Sequence, residues 1–297
     1  MKKNILFTTL LFVICGSTLF AQETETAVEE KTTSEPELKH YTPLYLDLPA
    51  ELNVRKGYKE IDVAAGYADF RDFNGVRGLI EYDFAPVNNL GFEIEVPFVL
   101  VHDKHPFPIG DTEDIVVPEE GGAEASAMAV RLGFTFTVLT LPDAKTTFAV
   151  GYNNELETSP FKKTEGKSFG DPVFTGNVYN PFVVVAKVWG ERFHSMIYTG
   201  PAIKQEFESN ESKTQYRLNT ILSYRFGRGE NETFAGVECN QAFGKDNKAQ
   251  LLLRPQVQLH LSEKWKLGII AGIPVETETH LRGSGFIRVM YSPGSRK

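Results

Sequence analysis

Cysteine is nearly absent from this sequence, since Cys15 and Cys239 are the only two in 297 residues. Two cysteines cannot build a disulfide framework or a cysteine-rich metal cluster. Basic residues are also few: 31 lysines and arginines stand against 39 aspartates and glutamates, and the formal net charge is −8. A chain with this charge is not expected to bind nucleic acid, whose phosphates attract basic surfaces.

Long apolar runs are missing as well, apart from one near the N-terminus. Two lysines precede a mostly apolar run from Ile5 to Ile14, and small residues follow it. The run is shorter than the roughly 20 apolar residues that a transmembrane helix needs. This layout is typical of a secretory signal peptide, and we predict that residues 1–21 form one, with cleavage after Ala21. Lipidation at Cys15 is disfavoured because the large Ile14 directly precedes it.

Helical periodicity is the third absence. After the signal peptide no apolar repeat of three and four residues persists, whereas two-residue alternation recurs from Glu60 onward and predicts an all-β body. Residues 22–39 are polar and rich in Glu and Thr, so we predict a disordered spacer there. The alternating stretches lie at residues 60–71, 75–85, 90–102, 124–139, 146–156, 177–189, 193–206, 214–226, 232–243, 249–261, 264–276 and 283–291.

The connections between these stretches show a second regularity. Joints after the even-numbered stretches are short, whereas those after the third and fifth, residues 103–123 and 157–176, are long. Outer-membrane barrels have short periplasmic turns and longer extracellular loops, and their sheets close because every backbone polar group in a bilayer needs a partner. We therefore predict that residues 59–292 form an antiparallel up-and-down transmembrane β-barrel of about 12 strands.

The alternation also assigns a face to each side chain. In the fourth stretch Leu132, Phe136 and Val138 are predicted to face lipid, while Ala129 and Arg131 face the lumen. A secreted soluble β-sandwich has the same alternation with its apolar face inside, so this alternative stays open. Stretch length, small residues on the charged face and aromatic residues near the stretch ends favour the membrane barrel.

Charged residues of both signs fall on the face that we predict to be inward. They can pair and close the lumen, or line a narrow channel, and the sequence does not choose between these arrangements. Glu155, Lys187 and Lys266 share this face. The predicted lumen-lining residues are Arg77, Glu81, Asp83, Glu93, Glu95, Arg131, Arg217, Arg225, Glu238, Arg254 and Arg288.

Patterns that would indicate chemistry are weak. The HDKHP segment at residues 102–106 has H-x-x-H spacing, but nothing fixes its two rings. His194 and Ser195 are adjacent, so they point to opposite faces of one strand. Ser223 could meet His260 across strands, although a hydrogen-bonded lumen histidine is the simpler expectation. We predict no catalytic, cofactor-binding or metal site, and we do not expect an enzyme.

A motif lies between the polar spacer and the first stretch. Residues 40–63 read HYTPLYLDLPAELNVRKGYKEIDV. They resemble the HAEPLYID motif, and the RKGEKE segment that follows it, of a family of exported proteins from Gram-negative bacteria. The resemblance implies export and no particular chemistry, because the family has no established activity. The matching residues are His40, Pro43, Leu44, Tyr45, Asp47, Arg55, Lys56, Gly57, Lys59 and Glu60, and the departures are Tyr41, Thr42, Leu46 and Tyr58.

Residues 40–58 are predicted to form a periplasmic segment before the barrel. Its PLYLDLP portion is apolar and extended, and two placements are open. It can enter the barrel mouth as a plug or docking peptide, or it can pack beneath the periplasmic rim and seal it. Packing beneath the rim is the simpler arrangement and is the one we expect.

Three functions compete on this evidence. The first is a narrow channel or passive transporter for small polar solutes in the outer membrane of a Gram-negative bacterium. The second is a non-conducting barrel whose long extracellular loops bind a partner, and the third is a hydrolase within a barrel that acts on lipid. The expected partners are outer-membrane lipid and the barrel-assembly machinery, and the oligomeric state is open.

Overall fold

The protein is described by a computed structural model that covers most of the predicted barrel. The predicted signal peptide, the spacer up to residue 37 and most of the two long loops lie outside the described residues. Within the described part, no helix is long and apolar enough to span a membrane. The described residues are 38–45, 48–70, 73–104, 124–127, 129–158, 174–207, 209, 211–227, 233–243, 249–275 and 281–294.

The described chain folds into antiparallel strands that run one after another. Their positions agree with the alternating stretches of the sequence to within a few residues at each end. The strands are β1 (Lys59–Phe70), β2 (Phe73–Val87), β3 (Leu90–Lys104), β4 (Glu124–Ala127), β5 (Ala129–Leu141), β6 (Thr146–Thr158), β7 (Phe174–Trp189), β8 (Phe193–Glu206), β9 (Ser212–Phe226), β10 (Thr233–Phe243), β11 (Ala249–His260), β12 (Trp265–Pro274) and β13 (Leu281–Tyr291).

The sheet closes on itself. β1 pairs with β2 on one side and with β13 on the other, so the first and last strands complete the ring. β4 and β5 pair with successive parts of β3 and together make one barrel strand. The protein is therefore a closed barrel of 12 antiparallel strands, as the sequence predicted.

The outer surface of the barrel is apolar. Leu132 is 50% exposed and Val138 56%, whereas Thr135 and Thr137, which alternate with them on β5, are buried. An apolar belt of this kind around a closed sheet is the surface that a bilayer covers. The same alternation leaves Leu222 exposed on β9 beside the buried Ser223. The predicted faces of these strands are therefore the faces that the fold adopts.

The short connections follow the even-numbered predicted stretches. The turn between β2 and β3 contains Asn89 in the left-handed region, with φ 65°, a conformation that asparagine tolerates better than most residues. Both the first residues of β1 and the last residues of β13 lie at this short-turn end of the barrel, because Lys59 pairs with Phe84 and Tyr291 pairs with Trp265.

Candidate functional site: the lumen and its N-terminal plug

The described residues of 38–58, which we call the plug segment, lie largely inside the barrel. Tyr41, Leu44 and Leu48 are each at most 5% exposed, and Ala50 is 1% exposed. Residues 46 and 47 of this segment lie outside the described part. The segment contacts inward-facing side chains on several walls of the barrel, so it does not pack beneath the rim, where the sequence led us to expect it.

One wall binds the plug segment through an amide. Gln256 accepts hydrogen bonds through Oε1 from the backbone N–H of Leu44, at 2.7 Å, and from the hydroxyl of Tyr41, at 3.3 Å. Its Nε2 donates to Oε2 of Glu238 at 3.1 Å, and Glu238 is fully buried. Tyr41 also stacks on Phe234 with 4.7 Å between ring centroids. β10 and β11 thus hold the segment by polar and aromatic contacts together.

The opposite wall binds the segment through Asn53. The backbone N–H of Asn53 donates to Oγ1 of Thr137 at 3.0 Å, and its Oδ1 accepts from Oγ1 of Thr140 at 2.7 Å. Its Nδ2 donates to Oγ1 of Thr147 at 3.3 Å. Three threonines of β5 and β6 therefore surround one plug asparagine, which adopts φ 59°.

The short turn between β2 and β3 holds the end of the plug segment. Oδ1 of Asn88 accepts from the backbone N–H of Lys56 at 2.8 Å, and the N–H of Asn89 donates to the carbonyl of Val54 at 2.6 Å. These contacts, like those of Asn53, lie next to the short turns. The segment thus occupies the part of the lumen at the short-turn end.

Glycines on the inner wall make room for the segment. A Cβ at Gly91 would overlap the Cβ of Ala50, and a Cβ at Gly268 would lie 2.9 Å from Cδ1 of Leu44. A side chain at either position would push the segment away from the wall. This close approach explains why small residues occur on the charged face of the strands.

Arg254 contacts the plug segment from β11. Its guanidinium lies over the ring of Tyr45, 3.2 Å from the centroid, and it also donates to Oδ1 of Asn240. Tyr45 packs edge-on against Phe286 at 6.0 Å between centroids. A buried arginine over an aromatic face contributes a cation–π attraction as well as packing.

The first ionic network of the lumen centres on Arg288 of β13. Its Nη2 lies 2.5 Å from Oδ2 of Asp62 and 2.6 Å from Oε1 of Glu81, and its Nη1 donates to the carbonyl of Leu44 at 3.1 Å. One guanidinium thus joins two barrel carboxylates to the plug backbone. Charge-assisted contacts of this length are the strong class of hydrogen bond.

Two further ion-pair groups flank this one. Nζ of Lys266 lies 2.8 Å from Oε2 of Glu60 and 3.3 Å from Oε1 of Glu51 in the plug segment. Arg131 joins Glu95, at 2.8 Å, to Glu155, at 3.0 Å. These pairs link adjacent strands, strands that are separated by one other strand, or a strand and the plug segment. The lumen charges therefore pair along the wall.

The other predicted lumen residues also lie on the inner side of the sheet. Arg77, Asp83 and Glu93 line a cavity beside the plug segment. Arg217 and Arg225 are half-buried on β9, on the face that carries the buried Ser223. Lys187 is different: although the alternation assigned it to the inner face, its Nζ lies 5.0 Å from the centroid of the exposed Trp189 ring and donates to the carbonyl of Ala144 in the short turn after β5. The alternation of β7 puts its even-numbered residues inside, so Lys187 points outward.

The cavity is lined by the plug segment, by β1, β2 and β3, and by residues of β5, β11, β12 and β13, and its volume is about 150 Å³. Carboxylates outnumber cationic groups around it. The charged residues that line it are Glu51, Glu60, Asp62, Glu81, Asp83, Glu93, Glu95, Arg77, Arg131, Lys266 and Arg288.

A histidine and a serine meet where the sequence did not suggest it. Ser223 pairs with His194 across β8 and β9, and not with His260, which lies beside Gln258 on β11. His194 and Ser223 are both buried, and neither ring nitrogen nor the Ser223 hydroxyl has a hydrogen-bond partner. The pair lies near the plug segment, as His194 packs edge-on against Phe234 at 5.5 Å. Only the strand register could have revealed it.

His40 is the titratable plug residue with the clearest shift. Its Nε2 lies 2.8 Å from Oγ1 of Thr147. Burial, and to a smaller extent the neighbouring His194, lowers the pKa of His40 from 6.5 to about 4. The docked segment therefore holds His40 in its neutral form at neutral pH.

Comparison with solved structures gives other barrels of the outer membrane. The crystal structure of an outer membrane channel from Pseudomonas putida F1 has a TM-score of 0.58 at 11% identity, over 85% of this chain and 100% of that one. The KdgM porin has a TM-score of 0.48 at 14% identity, over 78% and 98%. Identities this low show the fold alone. The protein thus has the fold of an outer-membrane barrel.

Sequence comparison gives a family. No curated protein matches the chain. The family model described as HAEPLYID-like matches residues 36–292, which include the plug segment and all the strands. The match confirms the resemblance that the motif at the plug segment indicated. The chain belongs to the HAEPLYID-like family.

Proposed function

We propose that this protein is an outer-membrane channel for small polar solutes, and that the plug segment closes the short-turn end of its lumen. The observation that carries the proposal is the contrast between an apolar outer belt and a charged lumen that still contains a cavity beside the plug segment. A barrel that only anchored loops would be as stable with an apolar core, since buried ion pairs are weak evidence for stability. The barrel from Pseudomonas putida that it resembles is named a channel.

The contacts of the plug segment support a closure that can open. Hydrogen bonds to Gln256 and Asn53 hold it, and water can replace such bonds when the segment leaves. Releasing the plug segment should cost less free energy than opening the barrel, because strand pairing is continuous around the ring. Solutes then pass along the charged wall of β1, β2 and β3.

Planar-bilayer recording on the purified full-length mature protein tests the proposal. We expect discrete current steps, and we expect Asn53→Ala to raise the open fraction because it removes side-chain bonds to Thr140 and Thr147. Asn154→Ala is the matched control, since Asn154 hydrogen-bonds to Tyr152 and Asn177 and to none of the described plug residues. Absence of current from both the wild type and Asn53→Ala would contradict a channel and favour the second candidate, a non-conducting barrel that binds a partner through its long loops.

Localisation and partners belong to the same proposal. An apolar belt around the barrel has to be covered by lipid. We therefore expect export by the signal peptide, insertion by the barrel-assembly machinery and contact with outer-membrane lipid. We expect no enzymatic activity, no cofactor and no nucleic-acid partner. Fractionation tests this: the protein should stay in the outer-membrane pellet through urea and carbonate washes. Its release into the soluble fraction would contradict the proposal.

A further inference from the structure

Four carboxylates meet on neighbouring strands at the wall of the cavity. In the register of β2 and β3, Glu81 lies opposite Glu95 and Asp83 lies opposite Glu93. All four are at most 6% exposed. One oxygen from each of Glu81, Glu93 and Glu95 lies within 4.8 Å of the others. Carboxylates brought this close in a buried site repel one another unless a cation or a proton lies between them.

Asp83 supplies the second observation. Its Oδ1 is buried and has no hydrogen-bond partner, and the residue lines the cavity. A buried acceptor without a partner is costly, and native proteins rarely leave one unless a water or an ion completes it. Asp83 lines the same cavity as the three glutamates, so a cation bound there could complete its Oδ1.

Arginines on the two sides hold the cluster in place. Arg288 contacts Oε1 of Glu81 at 2.6 Å, and Arg131 contacts Oε1 of Glu95 at 2.8 Å. These contacts fix the orientation of the two carboxylates on either side of the cavity. The cavity is lined by seven carboxylates against four cationic side chains, which leaves an excess of negative charge for a bound cation to balance.

We propose that Glu81, Asp83, Glu93 and Glu95 form a binding site for a calcium-sized divalent cation in the lumen. Carboxylate oxygens are the ligands that Ca²⁺ prefers, at about 2.3–2.6 Å. Two oxygens on opposite sides of one such ion lie roughly 4.8 Å apart, and the three glutamate oxygens lie within that distance of one another. Mg²⁺ requires shorter bonds, about 2.1 Å, and near-ideal octahedral geometry. The ligands come from two strands that are brought together by their register, so no sequence motif marks the site. The site does not depend on whether the barrel conducts.

Calcium titration of the full-length protein in detergent, followed by calorimetry, tests the site. We expect one saturable site with a Kd on the order of 10⁻⁵ to 10⁻³ M, weaker binding of Mg²⁺, and a rise in the unfolding temperature with calcium. Asp83→Asn and Glu93→Gln should each weaken calcium binding by roughly tenfold or more, because each removes a charged ligand. Asp143→Asn, at an exposed residue in the turn between β5 and β6, is the matched control and should bind calcium like the wild type.

The variants also distinguish a cation that is bound between the carboxylates from a proton that they share. Without calcium, Asp83→Asn should unfold at a higher temperature than the wild type because it relieves repulsion, and gel mobility before and after heating verifies its fold. At the same calcium concentration, calcium should then raise the unfolding temperature of the wild type by more than that of the variant. No saturable calcium binding to the wild type, equal binding to Asp83→Asn, or Mg²⁺ binding as tight as Ca²⁺ would overturn the proposal.

Discussion

Two walls of the lumen treat the plug segment differently. The wall of β10 and β11 presents two buried amides, Gln256 and Gln258. The plug residues Tyr41 and Leu44 both donate hydrogen bonds to Gln256. The wall of β1, β2 and β3 presents carboxylates, and most of these line the cavity. The plug segment around Leu44 is therefore hydrogen-bonded to the amide wall, whereas the acidic wall borders the cavity of the lumen.

The largest expected effect comes from removing the cation that balances the acidic wall. Arg288→Met leaves Asp62 and Glu81 without their guanidinium, and breaking a buried pair in this way costs about 3–5 kcal/mol. We expect a lower free energy of unfolding in denaturant titrations in detergent. Arg282→Met, at an exposed position of the same strand, is the control and should change it little. Equal stability of the two variants would mean that the acidic wall does not need Arg288.

A smaller effect is expected on the amide wall. Gln256→Leu removes the acceptor for the Leu44 N–H and the donor to Glu238, and the unpaired groups cost about 1–3 kcal/mol. The loss should appear as faster labelling of a cysteine placed at Leu44, in a Cys239→Ala background. Gln250→Leu, at an exposed position of β11, should leave labelling unchanged. If Gln256→Leu labels no faster, the amide wall does not hold the segment.

The fold and the faces could be predicted from the sequence, because alternation and loop lengths are local. The period of two alone assigns Thr135 and Leu132 to the correct faces, and it does the same for the charges of the inner wall apart from Lys187. The pairings could not be predicted: His194 with Ser223, or Arg288 with both Asp62 and Glu81, depends on register and on how β13 closes onto β1.

The sequence does not predict that the plug segment lies inside the lumen, and the reason is related. Its apolar residues indicate burial, but nothing local says whether the burying surface is the rim or the lumen. The glycines at Gly91 and Gly268 were a usable signal, because each removes a side chain from the inner wall where Ala50 and Leu44 approach. Their meaning depends on knowing which residues face them, which only the closed barrel provides.

The smallest expected effect is a pH dependence of plug docking. The pKa of His40 falls from 6.5 to about 4 on docking. Between these two pH values His40 is therefore protonated in the released segment and neutral in the docked one. Docking is fully favoured above pH 6.5 and weakens as the pH falls towards 4, by on the order of 1 kcal/mol at pH 6. Labelling at the Leu44 cysteine should therefore speed up from pH 7.5 to pH 5.5. His40→Gln should flatten that dependence, and an unchanged slope would assign it to other groups.

The central claim is that the plug segment closes the lumen, and a reversible lock tests it most directly. A Cβ at Gly268 would lie 2.9 Å from Cδ1 of Leu44, so Leu44→Cys with Gly268→Cys, in a Cys239→Ala background, places two thiols within reach of each other. The Leu44→Cys single variant is the control, because Gly268→Cys alone would push against Leu44. We predict that the oxidised double variant passes no current in a planar bilayer and that reduction restores the current. Equal currents before and after reduction, with the disulfide verified, would contradict the account.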